Sequence, residues 1–328
     1  DGIRLYQSGH FFGLISAINP HQNHTVSLYK NGTPATYGNS VSSVIELSSA
    51  KKLNDDFEAE VGLTFLSADA FIDTPLDKKS SIQIAARTSI NGAFITPTYL
   101  QYYDRAFQNT EIANTNQNAI NTEEDFRFSD VSFRWLYQLS EKDVLRLNYF
   151  SIANELSFTA EEFNQNSMET KESTLSQNSL GMGAFYKRNW TENFTTQLQL
   201  FHSNYHLNST NRILNTNTFF EQENNLAETA FKINSKWKLN ERFELNSGYE
   251  FSSTTSRDAE ADEEITNEDL IENRLNVNNV FSSLRYQSSS RKTLVHFGAR
   301  INYFNDFDIL LAEPRLSFNQ QFLKNFSV

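Results

Sequence analysis

The 328-residue chain carries 28 Lys and Arg against 40 Asp and Glu, a formal net charge of -12, and no Cys. The acidic balance disfavours nucleic acid as a partner, because backbone binding relies on clustered Lys and Arg. The lack of Cys removes disulfides, thiolate nucleophiles and Cys-based zinc sites.

Mean hydropathy is -0.54, and no run reaches the roughly 18 apolar residues of a helical membrane span. Membrane-crossing strands are not excluded, since a barrel presents only every second residue to lipid. The 28 Phe and 13 Tyr exceed what a polar soluble chain needs.

In chain order, Asp1 to Tyr6 reads as a turn into a short strand. Phe11 to Ile18 is an apolar segment bracketed by glycines and ending before Asn19-Pro20, which predicts a short helix. Val26 to Lys30 alternates, Asn31-Gly32-Thr33-Pro34 turns the chain, Tyr37-Gly38 makes a corner, and Val41 to Leu47 alternates again. These pieces form a small α/β unit over residues 1–50.

From Phe57 the texture changes. Phe57, Ala59, Val61, Leu63 and Phe65 fall on one face and Glu58, Glu60, Gly62 and Thr64 on the other. Ala70 to Leu76 and Ile82 to Ala86 repeat the pattern around Asp77-Lys78-Lys79-Ser80, and a long polar segment runs from Asn91 to Asp125.

Further alternating pairs turn at Ser140 to Asp143, Trp190 to Asn193, Asn240 to Arg242, Ser288 to Lys292 and Lys324-Asn325. Between them lie polar stretches, Thr159 to Thr174, Asn208 to Asn225 and Ser256 to Asn273, which read as long loops. Short turns therefore alternate with long loops, as in outer-membrane barrels. Strands of about 13 residues span roughly 40 Å, enough to cross a bilayer when tilted.

Trp135, Trp190 and Trp237 sit in or near proposed short turns, with Tyr and Phe around them, as expected of a girdle at the headgroup boundary. A soluble propeller would show four short strands and a repeated motif in each period of about 50 residues. This chain shows long paired strands and no repeated signature. The fold class is all-β, a transmembrane antiparallel up-and-down barrel over residues 51–328, with about 12 strands and Phe326 to Val328 entering another. An open sheet cannot sit in lipid, so the chain is expected to be part of a barrel of about 22 strands, a size associated with a plugged lumen.

Leu28-Tyr29-Lys30-Asn31-Gly32-Thr33-Pro34-Ala35-Thr36-Tyr37-Gly38, with Val41 to Leu47 behind it, resembles the end of the plug domain of TonB-dependent outer-membrane receptors. Asp1-Gly2-Ile3, Gly9-His10-Phe11-Phe12-Gly13 and Asn19-Pro20 look like the preceding plug segment. Gly298 to Phe304 and Glu313 to Ser317 look like mid-barrel strands of the same family. The resemblance implies residues 1–50 as the C-terminal part of a plug and 51–328 as the N-terminal part of the barrel.

It further implies a Gram-negative outer membrane, lipid and TonB as partners, TonB being met through a segment outside this sequence. The family imports a scarce nutrient, whether small molecule, glycan or peptide, using energy delivered by TonB. A passive porin or structural barrel is the alternative. The resemblance places ligand on plug apices and inward-facing wall residues, making His10, Phe11, Phe12, Arg87 and Arg134 candidate contacts. Inward Arg146 shares that character, and the three Arg could instead pair with plug carboxylates.

No catalytic set is assembled from His10, His21, His24, His202, His206 and His296, so neither an enzyme nor a cofactor is expected. His21 and His24 suit a polar plug loop better than a metal. The carboxylates from Asp258 to Glu272 suit a solvated external loop.

Overall fold

In the computed structural model the described residues are 1–10, 13–21, 24–30, 33–38, 43–49, 53–107, 121–164, 167–216, 218–262, 269–323 and 326–327. Two small antiparallel pairs come first. Strand β1 (Gly9–His10) pairs with β2 (Ile15–Ser16), and β3 (His24–Lys30) pairs with β4 (Ser43–Ser49).

The helix expected from Phe11 to Ile18 is corrected: residues 13–18 turn into β2, and Phe11 and Phe12 lie outside the described residues. Gly13 adopts φ 95°, a left-handed conformation that reverses the chain and is incompatible with a continuing right-handed helix.

The remaining strands form one antiparallel sheet. They are β5 (Glu58–Leu63), β6 (Ser67–Asp77), β7 (Ser80–Ser89), β8 (Asn121–Gln138), β9 (Asp143–Asn164), β10 (Ser167–Asn189) and β11 (Phe194–Ile213). There follow β12 (Thr218–Lys238), β13 (Phe243–Asp262), β14 (Asp269–Gln287), β15 (Thr293–Phe304), β16 (Ile309–Leu323) and β17 (Phe326–Ser327). Each strand pairs with its sequence neighbours, so 13 strands run in order from β5 to β17. The sheet is not closed among the described residues.

Two faces follow from the register. One continuous row joins Ile82, Trp135, Leu147, Ala184, Leu200, Phe231 and Phe251. Its Leu147, Leu200 and Phe231 are exposed, as a lipid-facing row should be. The row beside it joins Ser81, Leu136, Arg146, Phe185, Gln199, Lys232 and Glu250 and faces inward. One step along the strand switches the environment completely, which pins the register.

The short turns are where the alternation predicts them, at residues 78–79, 139–142, 190–193, 239–242 and 288–292. The aromatic girdle gathers at this end: Phe194 lies edge-on to Trp237 at 6.2 Å, Phe243 meets Tyr286 at 5.0 Å, and Trp135 stacks on Tyr137 at 5.4 Å.

The opposite ends differ from expectation. Much of Thr159 to Thr174, Asn208 to Asn225 and Ser256 to Asn273, read as loops, is strand, and β9 and β10 reach 22 and 23 residues. At about 3.3 Å per residue these two are roughly 75 Å long, far more than the bilayer requires. Polar outer parts pair in register, Glu162 of β9 with Glu169 of β10 and Asn208 of β11 with Glu223 of β12, so backbone pairing continues where the apolar pattern stops. Connections 64–66 and 305–308 are as short as the turns below. The connection between β7 and β8 is the long one, and it contains the helix α1 (Pro97–Phe107) in what reads as a polar segment.

Candidate functional site

The described residues of 1–49 lie against the inner face of the sheet and are joined to it by polar contacts at three levels. At the outer level, His10 of β1 is fully buried. Its Nε2 faces Asp130 Oδ2 at 3.1 Å, its Nδ1 meets Asn154 Oδ1 at 2.6 Å, and its ring stacks on Phe128 at 4.4 Å. Arg87 Nε donates to the same Asp130 oxygen at 2.7 Å, while its Nη2 donates to the Ser16 carbonyl of β2. Asp130 and Arg87 are register partners across β7 and β8, so the wall sets their separation and the β1–β2 hairpin is held from both strands.

At the middle level, Glu228 is buried on the wall, where it accepts from Tyr6 Oη at 2.7 Å and pairs with Arg4 at 3.1 Å. Ser203 Oγ donates to the Arg4 carbonyl at 2.7 Å. Burial beside the Glu228 carboxylate pushes the Tyr6 phenol well above its usual range, so it stays a donor.

At the inner level the Thr33-Pro34-Ala35-Thr36-Tyr37-Gly38 corner is gripped by cations. Arg315 Nη1 donates to Thr33 Oγ1 at 2.7 Å and to the Pro34 carbonyl at 2.8 Å, and Lys232 Nζ donates to the Thr36 carbonyl at 2.7 Å. Lys232 and fully buried Arg300 share Glu250 at 3.1 and 3.3 Å. Gly38 lets Arg300 approach: a Cβ there would lie 2.6 Å from the guanidinium Nε.

Helix α1 covers the outer level. Tyr99 and Tyr103 pack with inward-facing Phe126, Phe128 and Leu156, and Ile15 of the hairpin lies against the same cluster. Sequence reasoning missed this helix, although Thr96-Pro97 is a start signal. Thr96 Oγ1 accepts from the Tyr99 amide at 3.1 Å, Pro97 supplies the preset φ of a first helical residue, and Arg105 stands in the last turn.

The Tyr99 hydroxyl accepts from the Phe126 amide at 2.8 Å, and burial pushes its pKa up to about 12. Burial of the neutral phenol contributes stability that is complete below the usual tyrosine pKa of about 10 and is lost as pH rises through the folded value. Tyr99→Phe removes the hydroxyl that accepts from the Phe126 amide and is expected to lose about 1 kcal/mol locally, read as faster amide exchange in α1 at neutral pH.

The candidate ligand residues thus occupy distinct places. His10 and Arg87 come together on Asp130. Arg134 is buried deeper, 3.5 Å from Asp73, and Arg146 pairs with Asp1 at 3.2 Å. Phe11 and Phe12 lie outside the described residues. His21 lies between Glu60 and Asp69 of the wall, with Nε2 2.7 Å from Asp69.

No family model matches the sequence, and no curated protein matches it. Solved structures do match in fold. The FpvAI–pyocin S2 complex gives a TM-score of 0.63 at 11% identity, over 100% of this chain and 49% of that one. A ferric enterobactin receptor, PfeA, from Pseudomonas aeruginosa gives 0.59 at 10%, over 98% and 50%. The copper transporter OprC gives 0.60 at 8%, over 97% and 52%. The chain spans about half the length of each of these structures. The wall of paired strands, with residues 1–49 bonded to its inner face, has the fold of TonB-dependent outer-membrane receptors.

Proposed function

We propose that residues 1–50 are the C-terminal part of a plug and residues 51–328 the first half of the barrel of an energy-coupled importer in a Gram-negative outer membrane. The parent protein takes up a scarce nutrient from the cell surface, and TonB supplies the work that displaces the plug. One observation carries this reading: the described residues of 1–49 are fixed to the inner wall at three levels, from Asp130 to Arg315. A passive pore needs an open lumen, and so many bonds across it would defeat conduction. Opening such a seam needs an external source of work, which the TonB system provides.

Ligand is proposed to settle on the outer surface made by α1 and the β1–β2 hairpin, with Phe11 and Phe12 as contacts. His10 and Arg87 sit beneath it, where a shift of the hairpin would be felt at Asp130, and Arg134 lies deeper. Ferric enterobactin and copper are handled by two structurally similar proteins, so a metal-bearing solute is the first probe to try. The test is uptake of ferric chelates and copper by cells carrying the full-length protein, with and without TonB. Uptake that vanishes without TonB supports the proposal; equal uptake in both strains overturns it in favour of passive passage.

A further inference from the structure

The sheet has an uneven outer rim. Strand β7 has 10 residues, and at about 3.3 Å per residue and a tilt of about 40° it climbs roughly 25 Å, the height of the lipid-facing band of an outer-membrane barrel. Residues 64–66 and 90–96 therefore stand at the outer edge of that band, while β9 and β10 rise far past it. The two low segments are tied together, the Ile90 amide donating to the Leu66 carbonyl at 3.1 Å and Thr96 Oγ1 donating to the Phe65 carbonyl.

Between them lies an open groove of about 620 Å³, lined mainly by Leu63, Phe65, Ile90, Ala93 and Phe94, with Thr64, Ser89 and Thr96 as its polar side chains. Large apolar groups crowd it and are turned out: Leu63 is 78% exposed, Phe65 72%, Phe94 69% and the adjoining Ile95 67%. Leu63 and Phe65 continue the face of Phe57 and Val61, itself 67% and 86% exposed, so the groove extends the lipid-facing surface rather than the lumen. Among the described residues, no Lys or Arg lines the groove, so none of its lining side chains offers a positive charge to a phosphate.

We propose that this groove holds an acyl chain of an outer-leaflet lipid, and that residues 90–96 are a membrane-resting foot that fixes the base of α1. Apolar area of this kind is stable only out of water, at roughly 25 cal/mol per Å². Its height, its continuity with the lipid face and its lack of cations all select the acyl chain over the headgroup. The foot would let the bilayer brace the helix that covers the β1–β2 hairpin, because Thr96 both bonds to Phe65 and caps α1.

Residues 1–328 contain no Cys that would compete for label within this part of the protein. Phe94→Cys and, separately, Ile95→Cys are introduced into the full-length protein, spin-labelled and reconstituted in phosphatidylcholine vesicles. Collision with oxygen, which partitions into lipid, is compared with collision with a water-soluble nickel chelate. Asn215→Cys, in the connection following β11, serves as the solvent reference. The proposal expects oxygen to dominate at positions 94 and 95 and the nickel chelate to dominate at 215. Nickel access at 94 and 95 matching that at 215 overturns it, as does shielding from both reagents, which would mean that protein covers the groove.

Discussion

Asp130→Ala is expected to release the β1–β2 hairpin from the wall at a cost of about 3–5 kcal/mol, the usual penalty for removing one partner of a buried charge pair. Asp130 is buried and receives Arg87 at 2.7 Å and His10 at 3.1 Å through one oxygen. Without that carboxylate, the Arg87 guanidinium keeps only the Ser16 carbonyl among these contacts, a neutral acceptor that does not balance its charge. His10 keeps Asn154 and the Phe128 face, so the hairpin loosens without losing every attachment. Asp130→Asn, which retains an acceptor but no charge, should lose less. The measurement is amide exchange at Gly9, His10, Ile15 and Ser16 in the full-length protein. Protection equal to the parent's in the alanine variant would remove this triad from any role in holding the hairpin to the wall.

The inward side of Arg87 and Arg134 is legible from period-2 alternation, because each lies opposite in parity to Ile84 and Phe133 on its own strand. What they touch is not legible. Arg87 and Asp130 are 43 positions apart and meet only through the register of β7 with β8. That register is set by pairing across a connection containing a helix, and no local pattern encodes it. The family resemblance singles out His10 as a candidate contact, but its burial on Asp130 depends on the same long-range pairing.

The outer parts of β9 to β14 were misread for a different reason. Around Glu161, Glu162 and Glu169 the ends of β9 and β10 are mostly polar on both faces, and such a segment carries no apolar period to detect. Backbone pairing and register continue there without it. The Phe11 to Ile18 error is the opposite case. A short apolar run between glycines is compatible with a helix or a tight hairpin, and the left-handed Gly13 decides for the hairpin. The lipid rows from Phe57 to Phe65 and through Trp135 were readable because the bilayer demands apolar residues at every second position.

The second large effect is expected at Glu250. It is shared by Lys232 and Arg300, whose side chains are 17% and 1% exposed, and both cations also lie near the face of Phe281, at 5.4 and 5.7 Å. Glu250→Ala leaves two like charges in a poorly solvated space with no carboxylate between them, at a cost of about 3–5 kcal/mol. Lys232 also holds the Thr36 carbonyl, so its repulsion from Arg300 should be felt first in the 33–38 corner.

Amide exchange at Thr36, Tyr37 and Gly38 is expected to accelerate by orders of magnitude, since each 1.4 kcal/mol is worth about tenfold. Glu250→Gln should fall between the alanine variant and the parent. Lys236→Ala supplies the contrast, because its pair with Glu244 is 57% and 25% exposed and such solvated pairs contribute about 1 kcal/mol or less. If Glu250→Ala and Lys236→Ala change exchange at the corner equally, the buried cluster does not anchor it. If only Glu250→Ala does, the corner is held by charge burial rather than by the backbone bonds alone. Displacing the 33–38 corner from the wall would then require the Lys232–Glu250–Arg300 contacts either to break or to travel with it, and amide exchange in the Glu250→Ala variant reports on which contacts hold the corner.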